Sequence, residues 1–254
     1  MANELITDFL RGSQFVVAGS VGQAGTANVR IVSPSANVGT FKISEILHGP
    51  SVLRGFAGKE ITVMFDESKP IRAGESMVLF AKSWLYGDNL AVIEVGRMDE
   101  MEPDKTHTDI ADAQRAVADE KLSRRIALAE LVITGKVDKT EPASEEISRR
   151  MPITEHMPEY WVAEIAIKSV EKGRHEGKRV SIYFPASHDV TWHRAPKFTP
   201  GQEGIWILQR DQQEMGWRSM RLPGLTALAP LDFHALEHLT RIRNLIRSSS
   251  NSKP

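Results

Sequence analysis

The sequence predicts a mainly β protein with flanking helices: two small antiparallel β-barrels in tandem, a linking helix between them, and a C-terminal helix after the second. Three observations predict it. Four sequence blocks occur twice in the same order, separated by gaps that differ by loop-sized amounts. The blocks are short, rich in β-branched and aromatic residues, and cornered by glycine. Helical periodicity is confined to the two ends and the middle of the chain.

The first copy opens with Phe15-Val16-Val17-Ala18-Gly19-Ser20-Val21, and the second answers with Leu131-Val132-Ile133-Thr134-Gly135-Lys136-Val137. An alternating segment ending at His48-Gly49 corresponds to the run from Trp161 to Lys172-Gly173. Gly58-Lys59-Glu60-Ile61-Thr62-Val63-Met64-Phe65 corresponds to Gly177-Lys178-Arg179-Val180-Ser181-Ile182-Tyr183-Phe184. Ala73-Gly74-Glu75 before Met77-Val78-Leu79-Phe80 corresponds to Pro200-Gly201-Gln202 before Ile205-Trp206-Ile207-Leu208.

In chain order, residues 3–11 form a short amphipathic helix with Leu5, Ile6, Phe9 and Leu10 on one side. Strands follow at 15–21, 40–47 and 61–65, each with one apolar face. Strands 77–84 and 90–95 flank Tyr86-Gly87-Asp88-Asn89, a tetrad suited to a hairpin turn. Residues 108–130 carry Ile110, Ala113, Val117 and Ile126 as a sparse stripe and read as the linking helix, packed on the second barrel. Asp232 is a suitable N-cap for a helix through Arg247, whose Leu231, Ala235, Leu239, Ile242 and Ile246 share a face, and 248–254 is polar enough for a frayed tail. The expected domains are 1–100, a first barrel with its helix; 101–130, the linker; 131–230, the second barrel; and 231–254, the C-terminal helix and tail.

Strands ending in Gly-x-Val, a long second strand closing with Lys172-Gly173, a Gly-Lys-x-Val strand and a Pro-Gly-Gln turn before an apolar strand resemble the OB-fold barrel of the netrin and metalloproteinase-inhibitor type. Uncharacterised bacterial proteins share that pattern. The resemblance covers 13–97 and 129–222 and implies an OB-like fold; it lends no inhibitory residue, because the chain has none of the disulfide cysteines of the secreted inhibitors.

Composition narrows function chiefly by exclusion. At 254 residues the chain suits two domains of roughly 100 residues each. A net charge of −1 with acids and bases interleaved argues against a general affinity for nucleic acid or anionic membrane. The absence of cysteine excludes disulfides, thiolate metal sites and a thiol nucleophile. The first ten residues carry acids where a secretion signal needs a basic start, and no apolar run is long enough to span a membrane. The cytoplasm is the default location, although a processed secreted chain would read the same way.

Short motifs give no catalytic centre. His234-Ala235-Leu236-Glu237-His238 fits the H-x-x-E-H zinc-peptidase pattern on an expected helix, but nothing after His238 is acidic, so a third ligand is missing. Gly19, Gly22 and Gly25 have the wrong spacing for a phosphate cradle, and Ser187-His188-Asp189 are chain neighbours whose side chains diverge. His188 and His193, with Asp189 nearby and joined by His156 or His175, make a weaker metal candidate. No cofactor is implied.

The segment 185–200 is longer than its first-copy counterpart, 66–72, and holds Trp192, His193, Arg194, Lys197 and Phe198, aromatic surface beside positive charge. The alternative is that Trp192 and Phe198 fold back to cap the barrel. Tyr160 and Trp161 read as strand packing. The first functional expectation is a non-catalytic scaffold that contacts another protein through exposed edges and this loop. The alternatives are single-stranded nucleic acid or glycan binding by the same loop, and a metal-dependent hydrolase.

Overall fold

The computed structural model describes residues 2–86, 89–99, 102–144, 158–210, 214–215, 218–219 and 222–251. It divides into two compact units, Met1–Ala118 and Asp119–Pro254.

The first unit contains helix α1 (Ala2–Gly12), strands β1 (Phe15–Ala24) and β2 (Val38–His48), a 3-10 turn (Ser51–Phe56), strands β3 (Glu60–Met64), β4 (Ser76–Tyr86) and β5 (Leu90–Asp99), and the first part of helix α2 (Pro103–Leu128). The strands close in the order β1-β2-β3-β5-β4, with β3 and β5 parallel and the other neighbours antiparallel. That order matches an OB-like barrel. Phe15, Phe41, Ile61, Val63, Leu79 and Val92 fill the interior. Outside it, Ile6 and Leu10 of α1 and Ile110, Ala113 and Val117 of α2 cover Val16, Val78 and Phe80. The connection from β1 to β2 lies along the outside of the β3–β5 seam, where Val29 and Val32 pack with Val38, Ala91 and Met64.

The second unit repeats the plan with β6 (Leu131–Pro142), β7 (Tyr160–Lys172), β8 (Arg179–Pro185) and β9 (Glu203–Arg210), a small ladder of β10 (Glu214–Met215) and β11 (Arg218–Ser219), then β12 (Leu225–Thr226), β13 (Phe233–His234) and helix α3 (Leu239–Asn251). β12 pairs in parallel with β8 and antiparallel with β9, so β6-β7-β8-β12-β9 closes a second five-stranded ring.

The repeated blocks have the same structural roles. A Cβ built on Gly19 would lie 2.1 Å from the Lys42 carbonyl oxygen, and one on Gly135 would lie 2.5 Å from that of Ala166. Each glycine follows a register shift, so the first strand of each barrel bends where only a bare Cα fits. At the turn before the fourth strand, Gly74 and Gly201 have φ of 81° and 89°, a region costly for other residues. The Gly74 N–H donates to the Val21 carbonyl at 2.7 Å, and that of Gly201 to the Val137 carbonyl at 2.8 Å.

Several sequence expectations need correction. The linking helix starts at Pro103, before the expected 108. Its stripe divides between clusters: Ile110, Ala113 and Val117 belong to the first unit, whereas Leu122 and Ile126 pack with Val132, Ile205, Ile207 and Ile242 in the second. The ammonium of Lys172 closes its C-terminal end by donating to the carbonyls of Ile126, Ala127 and Ala129 at 2.6, 2.9 and 2.8 Å.

The C-terminal helix begins at Leu239, not after Asp232. The Asp232 carboxylate is fully buried and accepts from the backbone N–H groups of Leu228 and Ala229, each at 2.8 Å. Arg125 donates to its two oxygens at 2.5 and 2.7 Å. These bonds hold residues 227–232 as an excursion, after which β13 rejoins β9. The fifth strand of the second barrel is thus β12 and β13 with an interruption between them. Residues 248–251, expected in the tail, continue α3, and 252–254 lie outside the described residues. The expected hairpin turn includes Gly87 and Asp88, also outside them; its flanks pair as Tyr86 with Leu90. Among the described residues no helix is long and apolar enough to cross a membrane.

Candidate binding groove on the first barrel

The 185–200 segment is the β8–β9 connection, and it folds on itself. Backbone N–H groups of Trp192 and His193 donate to the Asp189 carbonyl, and Lys197 donates to the carbonyls of Trp192 and Ala195 at 2.9 Å each. Desolvation lowers the pKa of that lysine. Phe198 is buried in the barrel, with ring centroids 5.1, 5.9 and 5.4 Å from Phe184, Trp206 and Phe233. Trp192 is also buried, edge-on to Tyr160. Phe198 therefore closes the barrel mouth, Trp192 is buried beside Tyr160, and His193 and Arg194 are exposed. The His193 Nδ1 lies 2.7 Å from the Val190 carbonyl oxygen.

The first barrel closes the corresponding mouth differently. Glu94 accepts from the Asp66 backbone N–H at 3.0 Å, and Arg97 donates to the Lys69 carbonyl while its guanidinium lies 5.7 Å from the centre of the Phe65 ring. The two side chains, 1% and 9% exposed, approach to 3.6 Å, so a buried ion pair stands where the second barrel has aromatic rings.

Among the described residues the histidines assemble no metal centre. His188 and His193 are both exposed, and His156 lies outside the described residues. His234 is on β13 and His238 ends a 3-10 turn (Leu236–His238), so the expected helical i, i+4 arrangement is absent; their ring centroids are 6.1 Å apart. Among the described residues no group of three or more His, Cys, Asp and Glu side chains converges.

His234 is half-buried, and desolvation lowers its pKa from the ordinary 6.5 against the opposing effect of its hydrogen bond to the Leu231 carbonyl. The fold therefore favours the neutral ring. Its contribution to stability is full above pH 6.5 and is lost as the pH falls through that value toward the lower folded pKa. His234→Gln is expected to reduce the decline in urea stability between neutral and mildly acidic pH; an unchanged decline would contradict this assignment.

The more promising surface is a groove of about 620 Å³ at the other end of the first barrel, within the size range of small-ligand and peptide sites. Asn28, from the β1–β2 connection, and Asn89, from the β4–β5 turn, both reach the Glu60 carbonyl, donating from Nδ2 at 2.9 and 3.0 Å. Their oxygens are also engaged: Asn28 Oδ1 accepts from the buried Thr62 hydroxyl at 2.6 Å, and Asn89 Oδ1 from the Leu90 N–H at 2.8 Å. These bonds fix both amide orientations and leave each Nδ2 one further hydrogen for a ligand. Phe56, half-buried against the core, and exposed Val52 supply apolar surface, and the Lys59 ammonium sits 5.2 Å from the centre of the Phe56 ring.

Sequence reasoning missed this groove. Asn28 and Asn89 lie in loops 61 positions apart (89 − 28) and meet only because β3 and β5 become neighbours. No protein-family model matches the chain, and no curated protein matches it in sequence.

Proposed function

We propose that the chain is a non-catalytic binding protein that acts through protein–protein contacts of its barrels, with the first-barrel groove as the working surface. The observation that carries this reading is the pair of oriented asparagine amides, each with an unspent N–H, over a groove that also offers apolar and charged side chains. Such groups suit the carbonyls and side chains of an extended partner segment. The closed rings argue against most of the open sheet edges first envisaged as contacts, because ring closure pairs the strands on both sides, apart from the two-residue β13, which pairs with β9 alone. The 185–200 loop has less support as a stacking platform for nucleic acid or glycan, since Trp192 and Phe198 are buried.

The netrin-type resemblance remains our proposal for the barrels' kinship, supported by their shared strand order and matched glycines. The cytoplasm remains the proposed location.

A photo-crosslinking residue placed at Val52, beside the groove, or at Val190, in the 185–200 loop, tests the surface; the native residues are 67% and 73% exposed. Crosslinks to a protein in cells are expected at Val52. The Asn28→Ala/Asn89→Ala double variant, checked for folding by circular dichroism, should weaken affinity for that partner about thirtyfold, two lost hydrogen bonds at about 1 kcal/mol each. Crosslinking at Val190 alone would transfer the function to the loop, and none at either position would sink the proposal.

A further inference from the structure

We infer that the groove takes an acidic, extended segment of a partner protein. This deepens the binding proposal and rests on it. Between Asp8 and Glu60 the chain carries five Lys or Arg residues and a single acid, Glu45. That acid is engaged elsewhere, 3.0 Å from His107 Nε2 of α2. The interleaving of charges seen over the whole chain therefore fails in the stretch that supplies most of the groove's wall, including Asn28, Val52, Phe56 and Lys59.

The available hydrogen-bonding groups point the same way. Asn28 and Asn89 each retain an amide hydrogen, Lys59 lies over an aromatic ring without a carboxylate partner among the described residues, and Arg54 is exposed in the same connection. Against these donors the lining holds one carboxylate among the described residues, that of Glu60. A guest rich in acceptors matches this surplus, and carboxylates with main-chain carbonyls provide them.

A polynucleotide is also rich in acceptors but fits less well. Single strands are held by successive stacking rings and a row of cations, whereas among the described residues this groove has one aromatic ring, Phe56, with Lys59 over it. The β2–β3 connection brings two cations, Arg54 and Lys59, which suits one or two carboxylates.

The test uses the full chain and fluorescence anisotropy at low salt with three probes: a short Glu/Gly/Ser peptide, the same peptide with Gln for Glu, and a short oligothymidine. The Glu peptide is expected to bind at least about tenfold more tightly than the Gln peptide, to weaken with added salt, and to lose at least about tenfold on the Arg54→Glu/Lys59→Glu double variant. Equal binding of both peptides, lost in the Asn28→Ala/Asn89→Ala variant, would overturn the acidic preference while leaving the groove as a protein-binding surface. Tighter binding of oligothymidine than of the Glu peptide would overturn it in favour of nucleic acid. If no probe binds, the acidic-segment inference fails, and crosslinking at Val52 judges the groove separately.

Discussion

Asp232→Ala is expected to destabilise the second unit by about 3–5 kcal/mol, the largest single-residue effect we anticipate. The carboxylate is fully buried and satisfies four donors at once: two on Arg125, with the side chain 15% exposed, and the backbone N–H groups of Leu228 and Ala229. Alanine removes all four bonds while the guanidinium and both backbone groups stay largely enclosed, so the loss reflects uncompensated desolvation more than the net strength of the pair. Urea unfolding followed by tryptophan fluorescence reads this mainly from the second unit, which holds Trp161, Trp192 and Trp206, whereas the first unit contributes Trp84. The double variant Arg125→Met/Asp232→Leu removes both charges and should recover part of the loss. A single-variant cost below about 1 kcal/mol would mean that the excursion at 227–232 needs no ionic anchor.

Phe198→Ala is expected to cost about 3–5 kcal/mol, the range for a large core aromatic replaced by alanine. Phe198 is 4% exposed and is the only residue of its connection that enters the barrel core cluster, where it touches Phe184, Trp206 and Phe233. Removing it opens a cavity beside Trp206, so the emission of that buried indole should shift toward the red as the stability falls. Arg194→Ala, at an exposed position of the same loop, is the control and should change stability by no more than about 0.5 kcal/mol. Similar losses from the two substitutions would show that the connection is held by its surface polar contacts rather than by the ring.

The contrast between these residues indicates what the sequence can reveal. The four repeated blocks, their glycines and the two barrels were legible because close packing at Gly19 and Gly135, and positive φ at Gly74 and Gly201, restrict the amino acid locally. The start of the C-terminal helix was not. Asp232 has the chemistry of an N-cap, but its carboxylate bonds backward to Leu228 and Ala229 and across to Arg125, a partner 107 positions away. Tertiary bonding overrode local propensity there.

The candidate site was less legible than the fold. The 185–200 segment stood out because it is long and aromatic, yet Phe198 fills the mouth of its own barrel and Trp192 is buried against Tyr160. The groove depends on Asn28 and Asn89, ordinary loop residues whose importance comes from sharing the Glu60 carbonyl. The only trace in the sequence is regional: the run between Asp8 and Glu60 that is almost free of acids.

The parallel seams also have a kinetic consequence. β3 meets β5 over three residue pairs, Thr62–Ala91, Val63–Val92 and Met64–Ile93, and β8 meets β12 over two, Ile182–Leu225 and Tyr183–Thr226. Every other join in the rings is longer, except the short β12–β9 contact, which links strands much closer in sequence. Bringing distant strands together costs chain entropy before so few bonds can repay it. Each barrel is therefore expected to form first as an open, curled sheet and to become a ring late, and thermal fluctuations should reopen it along the same seam. On the first barrel that seam lies beneath the two asparagines, so a ligand held there would also act as a clasp, slowing the opening of the ring it rests on.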